Sequence, residues 1–309
     1  IRIIRANRNI YSYRDSQGFR MYPSYESYLE GHKGFKLKVR DTQIPVFHYN
    51  YARNPKMMME KAKTFDFFYH NDQYLQEKYN ARVLYVDTDA HHGDGVQWSF
   101  YDDPKVCTLS IHETGRYLFP GTGNVNERGQ GVGYGYSFNI PVDAFTEDES
   151  WLYAYTHALR EVADFFRPDV ILTQNGADSH YMDPLTHLSS TMKTYREIPR
   201  LAHEIAHQYC NGKWIAVGGG GYDIWRVVPR AWALIWLEMT ENSNCYGSLP
   251  QEWLDAWQKE SPVGLPMEWD DLENLYTPIP RKAEITEKNL LTLEKALYPI
   301  RSQQKSESV

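Results

Sequence analysis

The hydrophobic pattern is clearest from residue 81 onward, where short apolar runs rich in β-branched residues alternate with segments of helical periodicity. This alternation is typical of a mainly parallel sheet flanked by helices, the α/β class. Strands are predicted at residues 82–86, 106–111, 170–174 and 214–217. Because the carboxyl ends of parallel strands lie along one edge, we expect the polar residues that follow these strands to meet there.

Helical periodicity predicts three helices. The clearest follows Thr146, where Thr146 and Glu149 match a capping box ahead of regularly spaced apolar residues. The other two cover about 199–210 and 287–297, and we expect the polar tail after residue 301 to fray. Residues 243–281 are rich in Trp and Pro and predict an irregular packed segment. The pattern of residues 1–80 does not assign elements.

The chain length and the distribution of charge limit the possible domain organisation and partners. A chain of 309 residues with 42% apolar content can bury one large core or two modest ones. We expect a single domain over residues 1–309, with a divergent or incomplete part at 1–80, a core at 81–300 and a polar tail at 301–309. The net charge of −7 divides into +6 for residues 1–80 and −13 for the rest. The basic residues are scattered among aromatics, so we expect no nucleic-acid partner.

The remaining composition indicates an intracellular protein. No apolar stretch approaches the roughly 20 residues that span a bilayer, and no export signal is readable, so we expect a cytoplasmic location and no membrane partner. The three cysteines are odd in number and lack a CxxC spacing, which argues against a disulfide framework and against a thiolate zinc site. The sequence makes no prediction of oligomeric state.

The first chemical signal is the segment DTDAHHGDG at residues 87–95, directly after a predicted strand. Residues two apart in an extended segment point the same way, so Asp89 and His91 can bind one ion. Carboxylate and imidazole ligands together suit zinc or another first-row divalent metal. Helix capping is the competing explanation, but three aspartates and two histidines in eight residues exceed what capping requires.

Two further signals follow later strands. Asp178 lies in QNGADSH at residues 174–180, and the parallel sheet would bring it to the same edge as a third ligand. Residues 218–222 read GGGGY, which allows a close backbone approach and presents Tyr222, whose phenol can stabilise a developing oxyanion. A phosphate-binding loop is the competing explanation, but the Lys-Ser/Thr of a P-loop is absent from this segment.

These three motifs, in this order, resemble the zinc-dependent histone deacetylase family, and the surrounding sequence is most similar to bacterial acetoin-utilisation (AcuC-type) deacetylases. The resemblance covers about residues 81–297. Supporting segments are SIHE (110–113), LFPGTG (118–123), DPL (183–185) and PRAW (229–232). The resemblance implies an arginase/deacetylase-like three-layer fold with the active site at the carboxyl ends of the strands.

The resemblance also implies roles for individual residues. Zinc would be held by Asp89, His91 and Asp178, and Tyr222 would polarise the acetyl carbonyl. Asp87 and Asp94 would be orienting carboxylates. A potassium ion would be bound by the side chains of Asp87 and Ser110 and by the main-chain carbonyls of Asp89, His91 and Ile111. The tunnel for the lysine stem would be lined by Phe67, Phe119, Leu185 and Gly220.

The implied reaction is hydrolysis of N-ε-acetyl-lysine on a protein, in which zinc activates a water that attacks the acetyl carbon and acetate is released. Kinship with acetoin-utilisation proteins favours an acetylated metabolic enzyme as the substrate, and acetyl-CoA synthetase is an example. The implied cofactors are Zn²⁺ and K⁺.

One part of the family pattern is missing. The family carries an adjacent His-His pair that transfers protons, and an ungapped count places it at Met57 and Met58. The histidines before residue 80 are isolated: His32, His48 and His70. We interpret residues 1–80 as an imperfect or incomplete record in preference to a natural pseudoenzyme. For the chain as written, we expect zinc binding with activity reduced about 10²–10⁴-fold.

Two alternatives remain open from the residues. A non-catalytic binder of acetyl-lysine or polyamine would use the same tunnel, and the missing His pair supports it. A binuclear manganese ureohydrolase would share the segment around Asp89, but it needs a second carboxylate two residues after Asp178, where this chain has His180. Metal stoichiometry separates the ureohydrolase from a deacetylase with one zinc.

Overall fold

A computed structural model describes residues 80–242, 245–272 and 279–307, together with three short strands before them, and the side chains up to residue 302. The chain divides into two compact units, Ile1–Met58 and Met59–Val309. In the first unit, β1 (Ile10–Tyr13), β2 (Gly18–Met21) and β3 (Phe35–Lys36) form an antiparallel sheet in that order. The single-domain organisation stays a prediction. The expectations for Met57, Met58 and Phe67 lie outside the described residues.

The second unit contains a five-stranded sheet whose neighbours all pair in parallel, which confirms the predicted α/β class. Its spatial order is β6-β5-β4-β7-β8. The strands are β4 (Val83–Asp87), β5 (Val106–Glu113), β6 (Ser137–Val142), β7 (Val170–Asn175) and β8 (Trp214–Gly218). Strand β6 was not predicted because Pro141 interrupts its apolar run. Proline is tolerated there because β6 lies at an edge of this sheet.

Six α-helices and one 3-10 helix (Gly131–Gly133) lie in the described part of this unit. The α-helices are α1 (Asp94–Ser99), α2 (Asp148–Phe166), α3 (Met192–Cys210), α4 (Val228–Met239), α5 (Gln251–Trp257) and α6 (Lys282–Glu307). Helix α2 buries one face completely, including Trp151, Tyr155 and Leu159, and it contacts α3, α6 and strand β5. The predicted periodicity of this helix therefore corresponds to its buried face.

Three details of the predicted helices are wrong. The capping box is absent, because α2 begins after Glu147 while the Thr146 hydroxyl donates to the carbonyl of Asp143. Helix α3 begins at Met192, seven residues earlier than predicted, because the Thr191 side chain caps it and Pro199 lies inside it. Helix α6 begins at Lys282, five residues earlier than predicted, and continues to Glu307, ten residues beyond the predicted end.

The strand register positions the site. Asp87 at the end of β4 pairs with Gln174 of β7, and Asn175 of β7 pairs with Gly218 of β8. The segments that follow three neighbouring strands therefore start at the same edge of the sheet.

The three cysteines are free thiols. Among the described helices, none combines the length and the apolar content needed to cross a membrane.

Candidate metal centre

The segments after β4 and β7 bring the three predicted metal ligands together. One ligand atom from each of Asp89, His91 and Asp178 lies within 4.8 Å of the others. Nδ1 of His91 lies 3.1 Å from Oδ1 of Asp89 and 2.9 Å from Oδ2 of Asp178. Both aspartates are buried, and His91 is partly exposed. The predicted convergence is therefore present in the fold, while occupation by a metal stays a prediction.

Neighbouring groups hold the two carboxylates in place. Oδ2 of Asp89 accepts hydrogen bonds from Nε2 of Gln174 at 2.9 Å and from the backbone N–H of Gly220 at 2.6 Å. Oδ1 of Asp178 accepts from the backbone N–H of Ala90 at 2.8 Å. Such outer hydrogen bonds fix the orientation of metal ligands and tune their basicity. Gln174 belongs to the QNGADSH motif, but its role was not predicted from the sequence.

The electrostatics of this cluster favour a bound cation. Hydrogen bonds to Asp178 and then to Asp89 raise the pKa of His91 to about 10. Burial and the nearby charge of Asp89 raise the pKa of Asp178, although its hydrogen bond with His91 acts the other way. Burial also acts to raise the pKa of Asp89, but hydrogen bonds from His91 and its neighbours outweigh burial and lower it. The imidazolium of His91 supplies positive charge beside the buried Asp89 carboxylate, and a divalent cation with two oxygen ligands and one nitrogen ligand would supply that charge in place of the His91 proton.

Glycines allow the backbone to approach the carboxylates closely. A Cβ atom added to Gly220 would lie 2.3 Å from Oδ2 of Asp178 and 2.9 Å from Oδ2 of Asp89. A Cβ atom on Gly176 would lie 2.5 Å from Oδ2 of Asp89. Glycine is therefore the residue that fits at both positions, because a Cβ atom would clash with the aspartates. Gly220, which the resemblance assigned to the tunnel, directly contacts the predicted metal ligands.

Tyr222 lies beside this cluster. Its ring centroid is 6.3 Å from that of His91, with the rings nearly perpendicular at 83°. The backbone N–H of Tyr222 donates to Oδ2 of Asp183 at 2.9 Å, and the N–H of Leu185 donates to Oδ1 of Asp183 at 2.9 Å. Burial raises the pKa of the Tyr222 phenol above its ordinary value, so the phenol keeps its proton and can donate it in a hydrogen bond.

The predicted potassium ligands are adjacent in the sheet. Asp87 pairs in register with Ser110, and Ile111 follows in the same strand. Oδ1 of Asp87 accepts from the backbone N–H of Asp89 at 3.1 Å, and burial raises the pKa of Asp87 to about 8. The Ser110 hydroxyl lies 2.8 Å from Nδ1 of His112. Potassium binding itself stays a prediction.

The structure also describes three further predicted site residues, Asp94, Phe119 and Leu185. Asp94 is the first residue of α1 and is half-buried, and its carboxylate makes no hydrogen bond or ion pair with the described residues. Phe119 is 79% exposed and Leu185 is 54% exposed. Phe67 lies outside the described residues, so the tunnel stays a prediction.

A buried network that the sequence did not predict anchors the loop carrying Asp178. Nε2 of His180 lies 2.9 Å from Oδ2 of Asp271, and Nη2 of Arg230 donates to Oδ1 of Asp271 at 2.8 Å. The backbone N–H of Met192 also donates to Oδ2 of Asp271 at 2.7 Å, which ties the start of α3 to the same carboxylate. Arg230 lies in the PRAW segment, one of those that support the family resemblance. No local sequence pattern predicted a role for Asp271.

A centre of two aspartates and one histidine at the carboxyl edge of a parallel sheet, with a tyrosine beside it, defines a class of metal-binding α/β proteins. A family model described as histone deacetylase domain matches residues 71–239, more than half of the chain. The acetoin utilization protein AcuC of Bacillus subtilis (strain 168) is 68% identical over 232 residues, covering 75% of this chain. The AcuC protein of Staphylococcus aureus (strain COL) is 50% identical over 217 residues, covering 70%. The chain therefore belongs to the histone deacetylase family and is of the AcuC type.

A solved structure supports the same fold. An HDAC homolog from Aquifex aeolicus aligns with a TM-score of 0.56 at 30% sequence identity, covering 70% of this chain and 59% of that one. The chain spans about 60% of the length of the Bacillus relative and 56% of the Staphylococcus relative. These findings confirm the family and the fold that the sequence motifs predicted.

Proposed function

We propose that this protein hydrolyses N-ε-acetyl-lysine on a protein substrate with the help of one zinc ion. The observation that carries the proposal is the convergence of Asp89, His91 and Asp178 within 4.8 Å, at the sheet edge next to Tyr222. Bound zinc would supply a Lewis acid for the acetyl carbonyl and for the attacking water.

The residues around this centre have complementary tasks. The Tyr222 phenol donates a hydrogen bond to the oxyanion that develops on the acetyl oxygen, a type of interaction that contributes strongly to acyl-transfer catalysis. Asp183 positions Tyr222 and Leu185 relative to each other through the two backbone hydrogen bonds that it accepts. Leu185 and Phe119 offer exposed apolar surface for the aliphatic stem of the lysine. Gln174 and Gly220 hold Asp89 in its ligating orientation.

The proton-transfer step of the reaction depends on the adjacent His pair that the family carries. The positions at which the His pair is expected, Met57 and Met58, lie outside the described residues. General acid–base catalysis contributes about 10²–10⁴-fold, so the chain as written is expected to bind zinc and to release acetate slowly. We further propose an acetylated metabolic enzyme such as acetyl-CoA synthetase as the substrate, a potassium ion at Asp87 and Ser110, and no nucleic-acid partner.

The test compares the zinc-loaded protein with its Tyr222→Phe variant on an acetyl-lysine peptide. Acetate release by the variant is expected to fall about 10²–10³-fold, the cost of removing one oxyanion donor. Zinc affinity is expected to stay unchanged, because the phenol is not one of the three ligands. Equal acetate release by the two proteins would contradict the role of Tyr222. Failure of an Asp178→Ala variant to lose zinc would contradict the centre itself.

A second candidate is a binder of acetyl-lysine or polyamine that does not turn it over, because an ungapped count places Met57 and Met58 at the positions of the family's His pair. Peptide binding without acetate release would favour this candidate. A binuclear ureohydrolase is disfavoured by the family and by His180, since the side chain at that position is buried against Asp271.

A further inference from the structure

A second group of potential metal ligands lies on helix α3. His203 and His207 are one helical turn apart, and their Nε2 atoms are separated by 3.0 Å. Residues four apart on a helix lie on the same face, which places the two rings side by side. Their ring centroids are 4.8 Å apart. We call these two residues the His203–His207 pair.

The surroundings of His203 leave its Nε2 atom available to a metal. Nδ1 of His203 lies 2.8 Å from Oε1 of Glu238 on α4. A carboxylate at this distance accepts the Nδ1 proton, so that the lone pair of the neutral ring lies on Nε2. Trp214 stacks on the ring at 5.9 Å between centroids and 26° between planes. His203 is therefore held in one orientation by contacts from helix α4 and from strand β8.

The position of His207 is also restricted. A Cβ atom on Gly212, which has a φ of +75°, would lie 3.1 Å from Cε1 of His207, so the ring packs against the backbone where the chain leaves α3. His207 is exposed and lies in the last turn of the helix. The carbonyl end of a helix carries partial negative charge and favours a nearby cation. Solvent can supply further ligands on the exposed side.

The spacing of the two nitrogens suits a metal ion. Metal–imidazole bonds of about 2.0–2.1 Å place two ligands about 2.9–3.4 Å apart for ordinary tetrahedral or octahedral angles. The observed 3.0 Å lies in this range. The same distance also fits an N–H···N hydrogen bond between the rings, so the experiment must separate the two arrangements.

The segment 203–207 reads HEIAH and matches the HExxH pattern of zinc peptidases. In those enzymes the glutamate acts as a general base beside the metal. Here Glu204 pairs with Nη2 of Arg160 at 2.6 Å and with Nη1 of Arg200 at 3.3 Å. Both partners draw the carboxylate into an ion-pair cluster on the surface. The arrangement therefore favours metal binding without hydrolysis.

We propose that the His203–His207 pair binds a first-row divalent metal ion of the Cu²⁺, Ni²⁺ or Zn²⁺ type, with Glu238 orienting His203 and water completing the coordination. The pair contacts Trp214, the first residue of β8, whereas the predicted zinc centre lies at the sheet edge where that strand ends, and the five extended residues of β8 span roughly 13 Å. This metal site is independent of the proposed deacetylase activity.

The experiment uses the full chain after loading with one equivalent of zinc, followed by titration with Cu²⁺. Binding is followed by the electron paramagnetic resonance signal of Cu²⁺ and by quenching of tryptophan fluorescence, since Trp214 contacts His203. We expect the zinc-loaded protein to bind one further equivalent of Cu²⁺ through two nitrogen ligands. Ni²⁺ is expected to bind this site more weakly than Cu²⁺, and Mg²⁺ is expected not to compete with Cu²⁺ for it. His207→Ala is expected to abolish this equivalent, and Glu238→Ala to weaken it about 10–100-fold.

The matched control is His187→Ala. His187 is also exposed and has Nδ1 2.9 Å from a glutamate, Glu113, but no second histidine contacts it in the described structure. This variant is expected to bind Cu²⁺ like the wild type. Retained acetate release and zinc content in His207→Ala would show that the two metal sites are separate. Wild-type Cu²⁺ affinity in His207→Ala, or absence of a further equivalent in the wild type, would show a hydrogen-bonded pair only and overturn the proposal.

Discussion

The Gly220→Ala substitution tests whether the backbone after β8 forms part of the metal centre. The change adds one methyl group at a point 2.3 Å from Oδ2 of Asp178 and 2.9 Å from Oδ2 of Asp89. Ordinary contacts begin near 3.4 Å, so the atoms must separate by about 1 Å. The carboxylates cannot rotate away freely, because Asp178 is bound by the Ala90 N–H and Asp89 by Gln174.

The expected effect follows from the tolerance of metal coordination. Ligand distances in metal sites vary by about 0.2 Å, so a displacement of about 1 Å removes at least one carboxylate from the coordination sphere. We expect the zinc affinity to fall at least about 100-fold, which corresponds to about 2.8 kcal/mol. Overpacking is also expected to lower the free energy of unfolding of the metal-free protein by about 1–3 kcal/mol.

Zinc affinity is measured by competition with a chromophoric chelator, and the unfolding free energy of the metal-free protein by urea titration. Gly95→Ala is the matched control. An added Cβ atom at Gly95 has no neighbour within 4 Å, and this glycine lies in α1 close to the same metal-binding segment. The control is expected to bind zinc like the wild type. Zinc affinity of folded Gly220→Ala within about threefold of the wild type would refute the reasoning.

Two further substitutions test the groups that hold the centre. Gln174→Met removes the amide that donates to Asp89 while keeping a similar volume, and zinc affinity is expected to fall about 10–100-fold in the chelator competition. Asp271→Asn leaves Arg230 buried without its ion pair, and urea unfolding at pH 7 is expected to show a loss of about 3–5 kcal/mol. Burial acts to raise the pKa of Asp271, but the hydrogen bond with His180 and the charge of Arg230 lower it below 3.8. This stabilisation is therefore complete above pH 3.8 and is lost as the pH falls further, so unfolding in acid should depend on pH more steeply in the wild type than in Asp271→Asn.

The chemistry of the candidate site could be predicted from local sequence. Asp89 and His91 are two residues apart after an apolar strand, and this spacing alone directs both side chains to one side. The parallel arrangement of strands then made Asp178 and Tyr222 natural partners, because every strand delivers its following loop to the same edge. The helical periodicity after Thr146 likewise predicted the buried face of α2 without knowledge of its partners.

The tertiary structure decided what depends on contacts between distant residues. Asp271 lies 91 residues after His180 in the chain, and no local pattern indicates that its carboxylate anchors the loop of Asp178. The start of α3 was predicted too late because Pro199 lies inside the helix, and its capping residue Thr191 is itself held by the distant Asp148.

The sequence by itself determined the family, the strands that precede the predicted metal ligands and the choice of Asp89, His91 and Asp178 as those predicted ligands, since hydrophobic period and motif spacing are local properties. Only the tertiary structure decided that Gly220 contacts both carboxylates, that Asp183 links Tyr222 with Leu185, and that Glu238 orients His203. The physical reason is that each of these contacts joins groups from different strands and helices. Their distances are set by how the elements pack, and packing is not encoded at any one position in the chain.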